Sequence, residues 1–147
     1  MLEYNSSDIH VQAYSTGVTG SGNGDFQRPI GVAVSGGTVF VVDQGNHRVQ
    51  TFNQGTGAYI SQFGSANLTG PEGMALGSNG TLYVADSQAD RIVEFDTSGN
   101  HLGSFGSAGV GNGEFLHPYG VASACGGPRR GAWSLWPRSA PPRALPP

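Results

Sequence analysis

The sequence predicts an all-β fold: a β-propeller of four-stranded antiparallel blades, here an incomplete arc of about two and a half to three blades. Three observations carry this. First, Pro29 to Gly64 holds the runs PIGVAV, TVFVVD, HRVQTF and AYISQF, rich in Val, Ile, Phe, Tyr and Thr and separated by Gly- or Asn-marked turns, the pattern of strands joined by tight hairpins. Second, the pattern runs again, with Pro71 standing 42 residues after Pro29 and Arg91 standing 43 after Arg48. Four strands recurring at that period are the signature of a propeller blade. Third, the 147 residues include 25 glycines and no lysine, and only 12% are charged, which suits a turn-rich sheet protein and not a helical bundle.

The elements follow in order. Glu3-Tyr4-Asn5 and His10 to Tyr14 line up with Glu94-Phe95-Asp96 and His101 to Phe105 at one shared offset. Residues 1–15 are therefore expected to be the last two strands of a blade whose first two are missing. Thr16 to Gln27 is a glycine-rich loop, and its Gly22-Asn23-Gly24-Asp25-Phe26 returns as Gly111-Asn112-Gly113-Glu114-Phe115. A full blade is expected at 29–64, with strands near 30–34, 38–43, 48–53 and 58–63. A second is expected at 71–106, with strands near 73–77, 81–86, 91–96 and 101–105. Pro118-Tyr119-Gly120-Val121-Ala122 then opens a further blade, so 118–123 is expected as its first strand. The arc thus spans 1–123. The remaining 124–147 holds six of the nine prolines and four of the seven arginines. Such a Pro/Arg-rich tail opposes a continued sheet; it reads as disordered, and the break in mid-blade reads as a truncation or a change of frame.

Charge narrows the function. Residues 1–123 hold ten acidic residues against three arginines, a net −7, while four arginines follow in the tail. Phosphate affinity comes mostly from Lys and Arg, so nucleic-acid binding is disfavoured. The one cysteine, Cys125, excludes an internal disulfide or a cysteine metal site. No run of 18 apolar residues exists, so no membrane span is expected, and the polar first residues lack a signal peptide's pattern. No compartment follows from this.

Candidate residues fall into two sets. Asp43 with Arg48, and Asp86 with Arg91, stand five apart across repeat-equivalent hairpins. They read first as structural braces, and second as arginines lining a binding face. Ile30, Glu72 and Tyr119 sit inside the repeated Pro-x-Gly elements Pro29/Gly31, Pro71/Gly73 and Pro118/Gly120. They differ where their neighbours repeat, as a binding surface grafted on a repeated frame would, and are expected at the mouth of the central channel. The four histidines His10, His47, His101 and His117 lie outside the inner strands, so no converging zinc set is expected. No cofactor is expected either. The glycine clusters lead into strands rather than helices and so lack the anion-binding helix end.

The recurring elements are Pro-x-Gly, an apolar strand ending in Asp, Asn46-His47-Arg48-Val49, a strand ending in Phe, and Phe-Gly-Ser. Over residues 1–122 this resembles the NHL-repeat family; blade two departs from it with Gln88-Ala89-Asp90 in the Asn-His turn. The resemblance implies a six-bladed propeller, so the chain reads as a partial copy. It also implies a non-catalytic module that mediates protein–protein interaction, as in tripartite-motif ubiquitin ligases and bacterial sensor kinases. Two alternatives come from related propellers. One is a fragment of a lactonase-like or amidating-lyase-like enzyme, since Glu72 is similar in position to the channel-facing acid that holds a metal in gluconolactonase-like propellers. The other is an RNA-binding domain. An open arc also exposes blade faces and edges through which copies could self-associate, even completing each other into a ring.

Overall fold

The computed structural model describes residues 2–4, 10–13 and 15–123. The expected tail at 124–147 and its cysteine lie outside the described residues. Ten strands and two short 3-10 turns make up the described fold, with no α-helix among the described residues, so no helix there is long and apolar enough to cross a membrane.

β1 (Leu2–Tyr4) and β2 (His10–Ala13) form a two-stranded antiparallel sheet. Blade one is β3 (Pro29–Ser35), β4 (Thr38–Asp43), β5 (Arg48–Asn53) and β6 (Tyr59–Phe63), paired in sequence order. Blade two is β7 (Pro71–Leu76), β8 (Thr81–Asp86), β9 (Arg91–Asp96) and β10 (His101–Phe105), with the same meander. The alternation of side chains across each sheet sets what packs where. In blade one Val32 opposes Val41 and Val34 opposes Val39, so these four share one face; Phe40, Val42 and Val49 belong to the other.

That second face makes the main core. Phe40, Val42 and Val49 of blade one pack with Leu82, Val84, Val93, Phe95 and Met74 of blade two, and Leu68 from the connecting loop closes the cluster. Phe63 stands 5.1 Å from Phe95, centroid to centroid, across the blade interface. Each fully buried Val, Leu or Phe contributes about 1.5–3 kcal/mol, so this interface holds the two blades as one unit. The first face has a smaller cluster, Phe26, Val39, Val41 and Phe52, with Tyr59 against it. Val32 and Val34 on the same face remain 47% and 48% exposed. They sit on the inner strand, where an inner strand of the preceding blade would lie.

The inner strands β3 and β7 run side by side, and Pro-x-Gly is what permits it. A Cβ on Gly31 would meet the Glu72 carbonyl oxygen at 3.0 Å and Val42 Cγ2 at 3.1 Å; one on Gly73 would meet the Tyr119 carbonyl oxygen at 2.6 Å. Residues 118–123 were expected as a first strand. They carry no strand ladder: the segment lies along β7, where Gly73 N donates to the Tyr119 carbonyl at 2.9 Å and Ser123 Oγ to the Leu76 carbonyl. A strand needs a ladder on its own blade, and no second strand of that blade stands beside it among the described residues.

Candidate functional site

Each inner strand begins at one end of the arc, and each middle hairpin turns at that same end. The hairpin turns are 3-10 turns, Gln44–Asn46 in blade one and Ser87–Ala89 in blade two. The Asp ending the second strand fixes both parts together. Asp43 Oδ1 accepts from Gln27 N at 2.7 Å, and its Oδ2 accepts from Arg48 Nε, Asn46 Nδ2 and Gln50 Nε2. Asp86 repeats the device: Oδ1 accepts from Thr69 N and Gly70 N, and Oδ2 from Arg91. Both carboxylates are fully buried. The loop entering each inner strand is thereby tied to the turn beside it, and the mouth of the channel is held in shape.

Arg48 therefore sits inside the fold and not on a binding face. Its side chain is 6% exposed. Nε donates to Asp43, Nη1 to the Ser21 carbonyl and Gln62 Oε1, and Nη2 to the carbonyls of Gly22 and Asp25, which uses all five of its N–H groups. Arg91 donates to Asp86 and, at 2.6 Å, to the Asn67 carbonyl, and its side chain is 34% exposed. Each arginine braces the loop before its own blade, Arg48 the glycine-rich loop at 16–27 and Arg91 the connection at 64–70.

The mouth itself is a cleft of about 530 Å³ lined by Gln27, Arg28, Gln44, Gly45, His47, Glu72, Ser87, Gln88, His117 and Tyr119. Of the three residues inside Pro-x-Gly, Glu72 and Tyr119 reach it, whereas Ile30 is exposed beside it and outside the lining. Gln44 Nε2 donates to Glu72 Oε1 and bridges the two blades across the cleft floor. Among the described residues no three His, Cys, Asp or Glu side chains converge as a metal set.

Four lining or rim residues share a backbone feature that the sequence pattern does not mark. Among the described residues, Arg28, His47, Asp90 and His117 are the non-glycine residues with left-handed backbone, at φ 66°, 53°, 51° and 48°. They form repeat-equivalent pairs: His47 and Asp90 end the two 3-10 turns, while Arg28 and His117 each precede a Pro-x-Gly proline. Side chains in this region cost roughly 1–2 kcal/mol of backbone strain, and such strain gathers at functional sites. His47 and His117, which sequence position alone kept apart, meet at the same cleft. His117 is also oriented: its backbone N donates to Asp90 Oδ1 at 2.6 Å, and its Nδ1 stands 3.1 Å from the Ser87 carbonyl oxygen. A carbonyl only accepts, so Nδ1 carries a proton there. Arg28 is exposed, and its guanidinium has no acid partner among the described residues.

Comparison with known proteins fits this geometry. Residues 26–52 match the NHL repeat model; this span carries the inner strand, the Asp-ending strand and the Asn-His-Arg turn of blade one. The chain is 30% identical over 78 residues to the protein brain tumor of Drosophila melanogaster, and 34% identical over 59 residues to the B-box type zinc finger protein ncl-1 of Caenorhabditis elegans. These matches cover 52% and 40% of the chain but only 7% of each relative, so the chain spans a small part of their length. Among solved structures, hydrazine synthase of Kuenenia stuttgartiensis superposes with a TM-score of 0.56 at 19% identity, over 75% of this chain and 29% of that one. A calcium-binding protein, regucalcin, of Agrobacterium tumefaciens superposes at 0.50 and 19%, over 67% of this chain and 34% of that one. At such identity these two show the fold alone, an incomplete propeller arc; the NHL repeat in it rests on the family match at 26–52.

Proposed function

We propose that this NHL-repeat arc is a non-catalytic interaction module that binds a protein partner through the channel-mouth face. One observation carries the reading. Among the described residues, three of the four non-glycine residues held in left-handed backbone, Arg28, His47 and His117, line the mouth, the fourth, Asp90, holds the His117 backbone N–H, and the side chains differ between blades while the frame beneath them repeats. Retaining strained side chains at the rim of a rigid frame is the arrangement of a grafted recognition surface. Glu72, the carboxylate in the cleft lining, accepts from Gln44, and no nucleophile–base–acid set is assembled among the described residues, which favours recognition over catalysis.

The test immobilises the whole chain and compares proteins retained from source-cell lysate by wild type, His47→Gly, Tyr119→Ala and Ser78→Arg. Ser78 lies in the β7–β8 turn, at the opposite end of the arc. A protein held by wild type and Ser78→Arg but lost with either mouth variant supports the reading. A retained set that ignores the mouth variants and changes with Ser78→Arg overturns it.

A further inference from the structure

We infer that the mouth cleft takes a carboxylate side chain of an extended acidic peptide, and that Arg28 is the residue that receives it. The inference rests on the mouth being the binding face and adds the chemistry of the bound group. Among the described residues the arc has three arginines, and two of them are committed to Asp43 and Asp86. Arg28 is the third; it is exposed, lines the cleft and has no acid partner there. The acids nearby are already engaged. Glu72 is half-buried and accepts from Gln44, and Asp90 accepts the His117 backbone N–H and stands 3.8 Å from the His117 ring. The mouth therefore offers one unpaired guanidinium in an arc that is otherwise acidic.

Around that cation the cleft presents further hydrogen-bond donors. Gln88 and His47 are exposed on the facing turns, and Tyr119 and Glu72 share the lining. His117 has Nδ1 directed to the Ser87 carbonyl, and Nε2 makes no hydrogen bond among the described residues. A guanidinium receives a carboxylate through a two-pronged pair of N–H bonds, and amide and imidazole groups beside it suit the peptide backbone on either side. The count of cations separates this from a nucleic-acid groove. Single-stranded RNA needs a track of positive charge along its backbone, and one arginine within a region of net −7 supplies a single anchor, not a track.

The test uses the 147-residue chain and three fluorescein-labelled probes: the peptide Gly-Ser-Glu-Glu-Ser-Gly, its Gln-Gln analogue, and an octameric uridylate RNA. Fluorescence anisotropy is titrated for wild type and Arg28→Gly. Glycine suits the left-handed backbone at this position, so the variant removes the guanidinium without straining the fold. The expected result is a preference for the Glu-Glu peptide over both other probes, with about a tenfold weakening in Arg28→Gly, the worth of one charge-assisted pair. Equal binding of the Gln-Gln analogue, unchanged binding by Arg28→Gly, or no binding of the acidic peptide overturns the inference. Tighter binding of the RNA overturns it in favour of a phosphate ligand. A partner still lost with Tyr119→Ala in the lysate experiment would leave the mouth as the binding face in each of these cases, so the two readings fail separately.

Discussion

Arg48 Nε donates to Asp43 Oδ2 at 2.9 Å, and neither side chain reaches solvent to more than 6%. Asp43 in turn holds Gln27 N at 2.7 Å. The pair thus links the middle hairpin of blade one to the loop that delivers Arg28 to the mouth. Its counterpart, Asp86 with Arg91, makes the same link in blade two with a longer contact of 3.2 Å and a side chain that is 34% exposed.

The difference between the two pairs predicts unequal costs. Removing one partner of a buried pair leaves the other charged and unpaired, at about 3–5 kcal/mol. Arg48→Ala should therefore lower the urea midpoint far more than Arg91→Ala, for which water takes over part of the lost contact and about 1–2 kcal/mol is expected. Equilibrium urea denaturation of both variants checks the order. Equal losses would show that the Arg48 network is no more than a surface pair.

Gly73 permits the close approach of β7 to the 118–123 segment, because a Cβ there would stand 2.6 Å from the Tyr119 carbonyl oxygen. Gly73→Ala should push that segment away and break the bond from Gly73 N to Tyr119 O. The expected signature is faster hydrogen exchange of the residue-73 amide and a destabilisation of about 1–3 kcal/mol, the range for overpacking. Unchanged exchange at residue 73 would contradict the packing.

Relief of strain at the mouth should raise stability. His47 has φ 53° and Arg28 φ 66°, conformations that glycine adopts freely. His47→Gly and Arg28→Gly should each raise unfolding free energy by roughly 0.5–1 kcal/mol, the left-handed relief less the entropy that glycine adds to the unfolded chain. Partner binding should fall in the same variants, as expected where function is kept against stability. Thermal denaturation scored beside binding tests both halves.

Asp96 sets a pH dependence on the far side of the arc. The Asn100 side-chain amide above all, then the backbone N–H groups of Asn100, Ser98 and Gly99, hold its carboxylate below the ordinary value of 3.8. A depressed carboxylate stabilises the fold fully above its unfolded value, and that contribution is lost as pH falls through the lower folded value. The stability gap between wild type and Asp96→Ala should be constant above about pH 5 and shrink on acidification below 3.8. A gap that instead widens below pH 3.8 would reverse the sign of the shift. Denaturant midpoints measured from pH 7 down to pH 2.5 provide the readout.

The blades could be read from the chain because their signals are local. The apolar runs from Val39 to Val42 and from Leu82 to Ala85, each between turn residues and each ending in Asp, mark strands whatever surrounds them. The five-residue spacing of Asp43 and Arg48 likewise announces a hairpin pair. The mouth was harder to read. Arg28 and His47 meet only after the loop before β3 folds against a turn some twenty residues later, and no pattern marks a non-glycine residue as left-handed. The one available signal was positional: Arg28 and His117 precede repeat-equivalent prolines, Pro29 and Pro118. Arg48 looked available for binding because its other acceptors, the carbonyls of Ser21, Gly22 and Asp25, come from a loop over twenty residues away. The 118–123 segment carries a strand's sequence, but a ladder depends on a neighbouring strand and not on its own residues.

The most direct test of the central claim is hydrogen exchange by mass spectrometry on the whole chain, free and bound to the protein it retains. The account predicts protection at the mouth, in residues 27–30, 44–47, 87–90 and 117–119, with the opposite turns at 36–37, 54–57, 78–80 and 97–100 unchanged. Protection confined to those opposite turns would contradict it and move the recognition surface to the other end of the arc.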